Sequence, residues 1–370
     1  DALLATTVIE EEKMAKYRVG IIGLSWITRD PAAPGTAPVL GPAPAYSHAS
    51  AYAATPDIEV VAGCDIDPEA CEAFLNEWKS TWPNVRTYTD YREMLKAGPF
   101  DILSIVTPDN LHRQFVLAGI EAGIPAMFCE KPIATDLADA DAMIAAIEQA
   151  GTIVNVNHTR RWMPSHVAAR EAIRAGDIGE LTQITVHFGG PRAMLWRNHS
   201  HMLDLICYYA EANPVSVVGE LEPGSEDYGT SYRGNGGRDA DLEPGANAYI
   251  AFDNGVHAFL AGMKRGLPRI TVDLIGTKGR IHATDQSATK SFAVEGGFVE
   301  QPIVPKGTLA GMHAAVVDLI TAMETGREVQ SPPREARKAV ALIQGILDSQ
   351  AAGNARVAVD GGTSRSSKEG

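Results

Sequence analysis

The sequence is poor in positive charge. Its 46 acidic residues outnumber its 32 lysines and arginines, and the formal net charge at pH 7 is −14. Phosphate groups repel a surface of this sign, so neither nucleic acids nor membranes are expected as partners. Cysteine is scarce as well, with 4 residues in 370 and no C-x-x-C spacing. Neither a disulfide framework nor a zinc site is expected, and buried free thiols are the favoured interpretation.

Long apolar runs are also missing, because none reaches the roughly 18 residues that a membrane-spanning helix needs. The first residues lack a basic stretch followed by an apolar core, so no secretory signal is expected and the cytoplasm is the predicted location. Residues 1–16 are interpreted as an extension, with Met14 as a candidate start, and residues 353–370 as a tail. With 45% hydrophobic and 21% charged residues, the rest has the composition of a soluble globular protein with two cores.

The first half of the chain alternates short apolar or β-branched runs with helical patterns. Strands are predicted at residues 17–22, 58–65, 101–107, 126–131 and 152–158. Helices are predicted at residues 110–122 and 135–150, each followed by a glycine. This α/β pattern predicts a Rossmann domain over residues 17–160, a doubly wound parallel sheet whose ligand lies at the carboxyl ends of the strands.

The second half, residues 161–352, is predicted to be an α+β domain with a large, mostly antiparallel open sheet. Strands are predicted at residues 181–188, 215–221, 246–252, 256–263, 270–275 and 280–284. Helices are predicted at residues 165–175, 201–210, 309–325 and 334–351. Residues 253–255 and 276–279 are predicted to be hairpin turns. Residues 222–245, rich in glycine and acidic residues, are interpreted as a mobile loop, with a solvated linker as the alternative.

The glycine fingerprint G-x-G-x-x-G of dinucleotide-binding folds is incomplete. Gly23 is present, but Ser25 and Thr28 occupy the other two glycine positions. Residues 29–46 contain five prolines and cannot be helical, so the following helix is displaced and is predicted to begin with Ser47 as its cap. The predicted cofactor contacts in this loop are Gly23, Ser25, Trp26 and Ile27.

An acidic residue supports the same interpretation. Asp65 lies 42 positions after Gly23, and 24 positions once the proline-rich insert is left out, close to the ~20 expected. A carboxylate there would accept hydrogen bonds from the adenosine ribose and repel a 2′-phosphate, which favours NAD over NADP. The alternative is that Asp65 is only a turn residue.

Three segments carry a family resemblance: "DILSIVTPDNLH", "AGIPAMFCEKPIAT" and "GTIVNVNHTRRWMP". Together they resemble the Gfo/Idh/MocA oxidoreductases, over about residues 17–349. The resemblance implies a Rossmann domain, a C-terminal domain with an open sheet through which dimers or tetramers form, and a carbohydrate-like substrate. Most members of that family oxidise or reduce a ring hydroxyl of a sugar or cyclitol.

The resemblance also assigns roles. It implies that Lys131 is the catalytic acid–base group, and that Glu130 contacts the nicotinamide ribose. A partly desolvated amine beside other cations can have its pKa lowered toward neutrality, which suits proton transfer. The alternative is a Lys–Glu surface pair. Further cofactor contacts are implied at Thr107, Pro108, Asn110 and His112.

The second motif is "LWRNHSHMLDL". His201, the second predicted catalytic residue, and Asp204 match the family pattern, but Arg197 stands where the family has an aspartate. A guanidinium suits an anion, so an anionic substrate is predicted; the alternative is that Arg197 pairs with an acidic side chain. The predicted substrate contacts are Lys131, His158, Arg161, Arg197, Asn198, His201 and Asp204. For Arg161, bridging the two domains is an equal alternative. His199 and His201 have no third ligand in register, so no metal is expected.

Three functions remain open. The first is an NAD-dependent dehydrogenase acting on a ring hydroxyl of a sugar, sugar acid, cyclitol or glycoside. The second is a glycoside hydrolase or lyase that keeps its NAD bound and oxidises the ring only transiently. The third is a non-catalytic nucleotide-sensing regulator, against which the presence of Lys131 and His201 argues.

Overall fold

The computed structural model describes residues 16–29 and 46–361. Most of the predicted N-terminal extension, the proline-rich insert apart from its two ends, and the last part of the predicted tail lie outside these ranges. The described residues form two β-sheets with helices packed against them. Within the described parts of the chain, no helix combines the length and hydropathy needed to cross a membrane.

The first sheet has six strands in the order β3-β2-β1-β4-β5-β6. All of its ladders are parallel, and helices connect successive strands, so the predicted doubly wound sheet is confirmed. Its elements are β1 (Tyr17–Ile22), α1 (His48–Ala53), β2 (Ile58–Cys64), α2 (Pro68–Trp78), β3 (Arg86–Tyr88), α3 (Tyr91–Lys96), β4 (Ile102–Ile105), α4 (His112–Glu121), β5 (Ala126–Cys129), α5 (Leu137–Ala150) and β6 (Ile153–Val156).

Helix ends follow local chemistry. Ser47 forms a capping box with Ser50 and begins α1, as predicted. Helix α5 begins at Leu137, two residues later than predicted, because the Asp136 side chain accepts the amides of Ala138 and Asp139 in the first turn. The strands β4, β5 and β6 are shorter than predicted, so the polar residues that follow them lie in loops at the carboxyl edge of the sheet.

The second sheet has nine strands in the order β14-β13-β12-β11-β7-β10-β9-β8-β15, and only β7 and β10 pair in parallel among them. The mostly antiparallel sheet and both hairpin turns are therefore confirmed. Its elements are α6 (Pro164–Arg174), β7 (Leu181–Gly189), α7 (His199–Ala210), β8 (Pro214–Leu221), β9 (Ala246–Phe252), β10 (His257–Met263), β11 (Ile270–Gly276), β12 (Gly279–Ala283), β13 (Ala288–Val294), β14 (Gly297–Ile303), α8 (Gly311–Thr325), α9 (Pro333–Ala351) and β15 (Val357–Ala358).

The last two long helices join the two sheets. Helix α8 shares a hydrophobic core with β1 and α1 of the first sheet, whereas α9 packs on β8 and α7. The chain therefore returns to the Rossmann sheet after completing the second one, and the domain boundary near residue 160 stays a prediction. The four cysteines are buried and free, as predicted.

Candidate active site

The turn after β1 requires glycine at residue 23. Its φ is +92°, and a Cβ added there would lie 2.5 Å from the carbonyl oxygen of Val106, at the end of β4. The Thr28 hydroxyl donates to the Gly23 carbonyl at 2.6 Å, so this threonine stabilises the turn in place of a glycine. Ser25 precedes a short 3₁₀ turn, Trp26–Thr28, and Trp26 is exposed. This arrangement leaves the backbone of the loop open at the sheet edge, where a pyrophosphate binds in this fold.

Asp65 lies beside that turn. Its two carboxylate oxygens accept the backbone amides of Leu24 at 2.8 Å and Asp67 at 3.0 Å. Asp65 thus ties the loop after β1 to the end of β2. Each carboxylate oxygen keeps a second lone pair, so the turn role and a ribose contact are compatible.

Glu130, at the end of β5, is buried and held from three sides. One carboxylate oxygen accepts Nδ2 of Asn157 at 2.6 Å and lies 3.1 Å from Nε2 of His48, and the other accepts the Lys131 amide at 3.3 Å. Burial raises the pKa of Glu130, but the hydrogen bond with His48 and the charges of Lys131 and Arg197 outweigh it, so its pKa lies below the usual range. Glu130 is therefore a carboxylate at neutral pH. The sequence reasoning missed both His48 and Asn157.

Lys131 is 6% exposed, and its ammonium donates to the backbone carbonyl of Arg197 at 2.7 Å. Burial, together with the charge of Arg197, lowers its pKa to about 7, and Glu130 and Asp109 oppose that shift only in part. The alternative of a Lys–Glu surface pair is wrong, because both side chains are buried. An amine with this pKa can both accept and release a proton near neutral pH.

Two histidines face each other next to Lys131. The ring centroids of His158 and His201 are 5.9 Å apart in an edge-to-face contact. Burial lowers the pKa of both, that of His158 to about 4, so both rings are neutral at pH 7. Nδ1 of His158 lies 3.3 Å from the Asp204 carboxylate, which favours a proton on Nδ1 and leaves Nε2 as an acceptor. Among the described residues, His158 Nε2 and His201 Nδ1 find no hydrogen-bond partner.

Arg161 and Asp204 bind each other instead of lining the site with free polar groups. The guanidinium donates to both Asp204 oxygens at 2.9–3.1 Å, and a further N–H donates to the Gln330 carbonyl at 2.9 Å. Both side chains are buried. These contacts join the segment after β6 to α7 and to the segment before α9. The geometry therefore favours the bridging role over direct substrate contact for this pair.

The Arg197 side chain reaches back to the Rossmann sheet. Its guanidinium pairs with the buried Asp109, which also accepts the Tyr232 hydroxyl at 3.2 Å. Asp109 thus supplies the negative partner of Arg197, which is the pairing with an acidic side chain named above as the alternative. The anionic substrate loses the support of a free guanidinium and stays a prediction.

The remaining predicted contacts divide into two groups. His112 lies under the site, with its ring nitrogens 2.7 Å and 3.1 Å from the carbonyl oxygens of Pro132 and Thr107, so it fixes two loops. Asn110 and Pro108 are exposed at the carboxyl edge of the sheet.

The Thr107 hydroxyl and Oδ1 of Asn198 are buried and, within residues 16–29 and 46–361, have no hydrogen-bond partner. Buried polar atoms are rarely left unsatisfied, so a ligand or water is expected there.

Residues 222–245 pack across this site. The backbone amide of Gly236 donates to the Tyr232 hydroxyl at 3.0 Å, and a Cβ added at Gly236 would touch Pro108. The buried Glu243 accepts the amides of Trp196 and Arg197 at 2.7 Å and 3.1 Å. The segment is a loop, as predicted. These contacts hold it over the loop after β4, whereas a solvated linker would make no such contacts.

Two family models match successive parts of the chain. The family model described as "Oxidoreductase family, NAD-binding Rossmann fold" matches residues 17–158, and the model of the GFO/IDH/MocA C-terminal domain matches residues 166–282. A D-apiose dehydrogenase of Paraburkholderia graminis is 39% identical over 137 residues, which cover 36% of this chain and 34% of the relative. An inositol 2-dehydrogenase of Rhizobium meliloti is 29% identical over 182 residues, covering 46% and 53%. The matches to these curated relatives thus span about a third to a half of their length.

Solved structures match over nearly the whole chain. An aldose-aldose oxidoreductase from Caulobacter crescentus, crystallised with glycerol, has a TM-score of 0.73 and 20% identity, covering 93% of this chain and 99% of that one. The WlbA dehydrogenase from Bordetella pertussis, in complex with NADH and UDP-GlcNAcA, has a TM-score of 0.68 and 20% identity, covering 93% and 98%. At these identities the likeness shows the fold. Because both family models match in order, this chain belongs to the Gfo/Idh/MocA oxidoreductases, whose N-terminal domain is an NAD-binding Rossmann fold.

Proposed function

We propose that this protein is an NAD-dependent dehydrogenase that acts on a ring hydroxyl of a neutral sugar, cyclitol or glycoside, with Lys131 as the acid–base group. The observation that carries the proposal is the environment of Lys131. It is a buried amine with a pKa of about 7, next to His158 Nε2 and His201 Nδ1, which lack hydrogen-bond partners in the described structure. A polyol placed there would satisfy these atoms with its hydroxyl groups.

The proposed chemistry follows from these groups. Bound NAD would supply the hydride acceptor. Three groups are suited to hold it: the backbone of the loop at Gly23, the Asp65 carboxylate and the Thr107 hydroxyl. Neutral Lys131 takes the proton of the substrate hydroxyl and holds it as an ammonium. The carboxylate of Glu130 favours this charged form. In the opposite direction the same ammonium returns the proton to the substrate oxygen.

The charge inventory of the site supports a neutral substrate. Arg197 pairs with Asp109 at the site itself. Two neighbouring buried arginines are paired as well, Arg160 with Asp285 at 3.1 Å and Arg161 with Asp204 at 2.9 Å. An anionic substrate would have to compete with these buried carboxylates for their partners. Hydrogen bonds to hydroxyl groups need no such exchange.

A substrate screen tests the proposal. Inositols and aldoses would be compared with the matching uronates, by the rise in NADH absorbance on adding NAD. We expect turnover with at least one neutral ring polyol, and a kcat/KM for it about 10-fold or more above that of its carboxylate analogue, the scale of one charge-assisted contact. A uniform preference for uronates would contradict the neutral-substrate proposal, and absence of turnover with all classes would contradict the dehydrogenase.

The loop over residues 222–245 favours a second candidate, in which NAD stays bound and glycosidic bonds are cleaved after transient ring oxidation. The Tyr232 hydroxyl of this segment donates to Asp109 at 3.2 Å, and this contact would hinder cofactor exchange at the loop after β4. The distinguishing observation is cofactor absorbance that survives gel filtration, together with aglycone release from an aryl glycoside without net reduction of added NAD. Rapid loss of cofactor on the column would argue against this candidate.

A further inference from the structure

A buried chain of hydrogen bonds lies behind Glu130. Nε2 of His48 is 3.1 Å from Oε1 of Glu130, and Nδ1 of the same ring is 2.9 Å from the Ser104 hydroxyl. The Tyr52 hydroxyl lies 2.8 Å from that serine oxygen. All four side chains are nearly or completely inaccessible to solvent, at 0–2% exposure. The chain runs from the helix α1, through the middle of β4, to the end of β5.

The directions of these bonds follow from the ionised state of Glu130. A carboxylate only accepts, so Nε2 of His48 carries the proton that faces it. With its proton on Nε2, the His48 ring offers Nδ1 as the acceptor for the Ser104 hydroxyl, and the Ser104 oxygen accepts from Tyr52. One tautomer thus satisfies every member. The chain ends at Tyr52, which is fully buried, so within the described residues it does not lead protons to solvent.

We propose that His48, fixed by Ser104 and Tyr52, is a positioning residue that orients the ionised Glu130 carboxylate and thereby sets the charge beside the Lys131 amine. Oε1 of Glu130 is occupied by His48 and Asn157, whereas Oε2 accepts, from the described part of the chain, only the 3.3 Å contact of the Lys131 amide. The network thus leaves Oε2 on the side of Lys131. The inference rests on the proposed function, in which Lys131 transfers the proton.

Several charged or titratable groups face this pair, and each contributes to the electrostatics. Those acting on Lys131 are Arg197, Glu130, Asp109 and Arg192, and Lys131 in turn acts on His158 and His201. Those acting on Glu130 are His48, Lys131 and Arg197, and Glu130 acts on His112 and His158. His48 contacts Glu130 directly, so we expect its influence on Lys131 to pass through Glu130.

The test is the pH profile of kcat/KM in two His48 variants. His48→Leu removes the donor to Glu130, which favours a protonated Glu130 and withdraws its attraction for the Lys131 ammonium. We expect the acidic limb to move to lower pH by about half a unit or more, since a lost charge contact commonly shifts a buried pKa on that scale. His48→Gln offers an amide N–H near the position of Nε2, and its limb should stay close to the wild-type one.

Two further variants keep the test specific. Thr55→Val removes another buried hydroxyl next to α1, one that donates to the Ala51 carbonyl without contacting Glu130, and should leave the limb unchanged. In a Glu130→Gln background, His48→Leu should cause no additional shift. An unchanged limb in His48→Leu, an equal shift in His48→Gln, or a shift that persists with Glu130→Gln would each overturn the proposal. If His48→Leu does not fold, Ser104→Ala, which removes the donor to Nδ1, takes its place.

A second readout separates this inference from the proposed function. The rate at which acetic anhydride acylates Lys131, followed by peptide mass spectrometry across pH, reports the ionisation of the amine without any turnover. The His48→Leu shift should appear there as well. If no polyol is oxidised but the labelling curve shifts, the proposed function fails and the positioning role stands. If turnover is found but neither readout shifts, the proposed function stands and the positioning role of His48 fails.

Discussion

At the scale of single residues, burial and four charges decide the protonation state of Lys131. Burial and the charges of Arg197 and Arg192 lower its pKa, and the carboxylates of Glu130 and Asp109 raise it. The balance at about 7 places the group where small electrostatic changes alter its protonation under ordinary conditions. For oxidation the amine must be neutral, so kcat/KM should rise as the pH increases through about 7.

Arg197→Ala tests this balance. It removes a positive charge and leaves Asp109 unpaired, and both changes favour the ammonium form, so the pKa of Lys131 should rise. The acidic limb of kcat/KM should therefore move to higher pH. Arg192→Ala is a control with a smaller expected shift. Arg192 also lowers the pKa of Lys131, but it contributes least of the named charges. A limb that stays in place or moves downward in Arg197→Ala would contradict the assignment.

Asp65→Ala tests the cofactor site. Loss of the carboxylate should weaken NAD binding and relax the discrimination against NADP, because the ribose contact and the repulsion disappear together. Asp65→Asn keeps an oxygen for the amides of Leu24 or Asp67 and removes only the charge, so it should relax the discrimination with a smaller loss of stability. Titrations with both cofactors decide, and an unchanged preference in both variants would mean that Asp65 is only a turn residue.

Residue-level predictions were possible where neighbours in sequence carry the information. The Glu-Lys-Pro motif points to Lys131 and the acidic position points to Asp65, because each follows a recognisable strand, and the roles of both stay predictions. The partners came from far away: His48 is 82 positions from Glu130, and Asp109 is 88 positions from Arg197. No local pattern connects such pairs, so Asp109 could not be named from the sequence as the partner of Arg197, and His48 was not predicted.

At the scale of elements, the turn after β1 forms although Ser25 and Thr28 stand at two of the three glycine positions of the fingerprint. Gly23 supplies the left-handed backbone and the close approach to β4, and Thr28 closes the turn through its hydroxyl. Most strands with a buried face were predictable from periodicity, whereas the helices α2 and α3 were not predicted in spite of their aspartate caps. Strands β13 and β14, at one end of the second sheet, were also not predicted, because few of their residues are buried and they lack the alternation of a half-buried strand.

Gly23→Ala should destabilise the protein more than the same change at Gly123. Both glycines have a positive φ, which costs an alanine roughly 1–2 kcal/mol. At Gly123 no atom of the described chain lies within 4 Å of the added Cβ, whereas at Gly23 it meets the Val106 carbonyl. The difference between the urea unfolding midpoints of the two variants measures the destabilising effect of the contact between the added Cβ and the Val106 carbonyl. Equal midpoints would show that the turn tolerates a side chain.

At the scale of the whole molecule, we propose that copies associate through the open face of the nine-stranded sheet. Phe259 and Met263 on β10 are each 38% exposed on the face away from the buried residues of that strand. Phe259→Glu should convert a dimer or tetramer to monomers in light scattering, because a charge on this face opposes burial. Phe298→Glu, at an exposed position of the edge strand β14, should leave the assembly unchanged. A wild-type monomer would refute the proposal.

The two sheets meet where Arg197 reaches Asp109 and where Lys131 reaches the carbonyl of Arg197. Chemistry at this junction needs one group that moves the proton, and the account assigns it to Lys131. The most direct measurement is kcat/KM of Lys131→Met with the best neutral polyol, alongside its affinity for NAD. We predict a normal fold, near-normal NAD binding and a loss of ~10²–10⁴-fold in kcat/KM, the usual contribution of a general acid–base group. A variant that turns over within a few-fold of wild type would contradict the account.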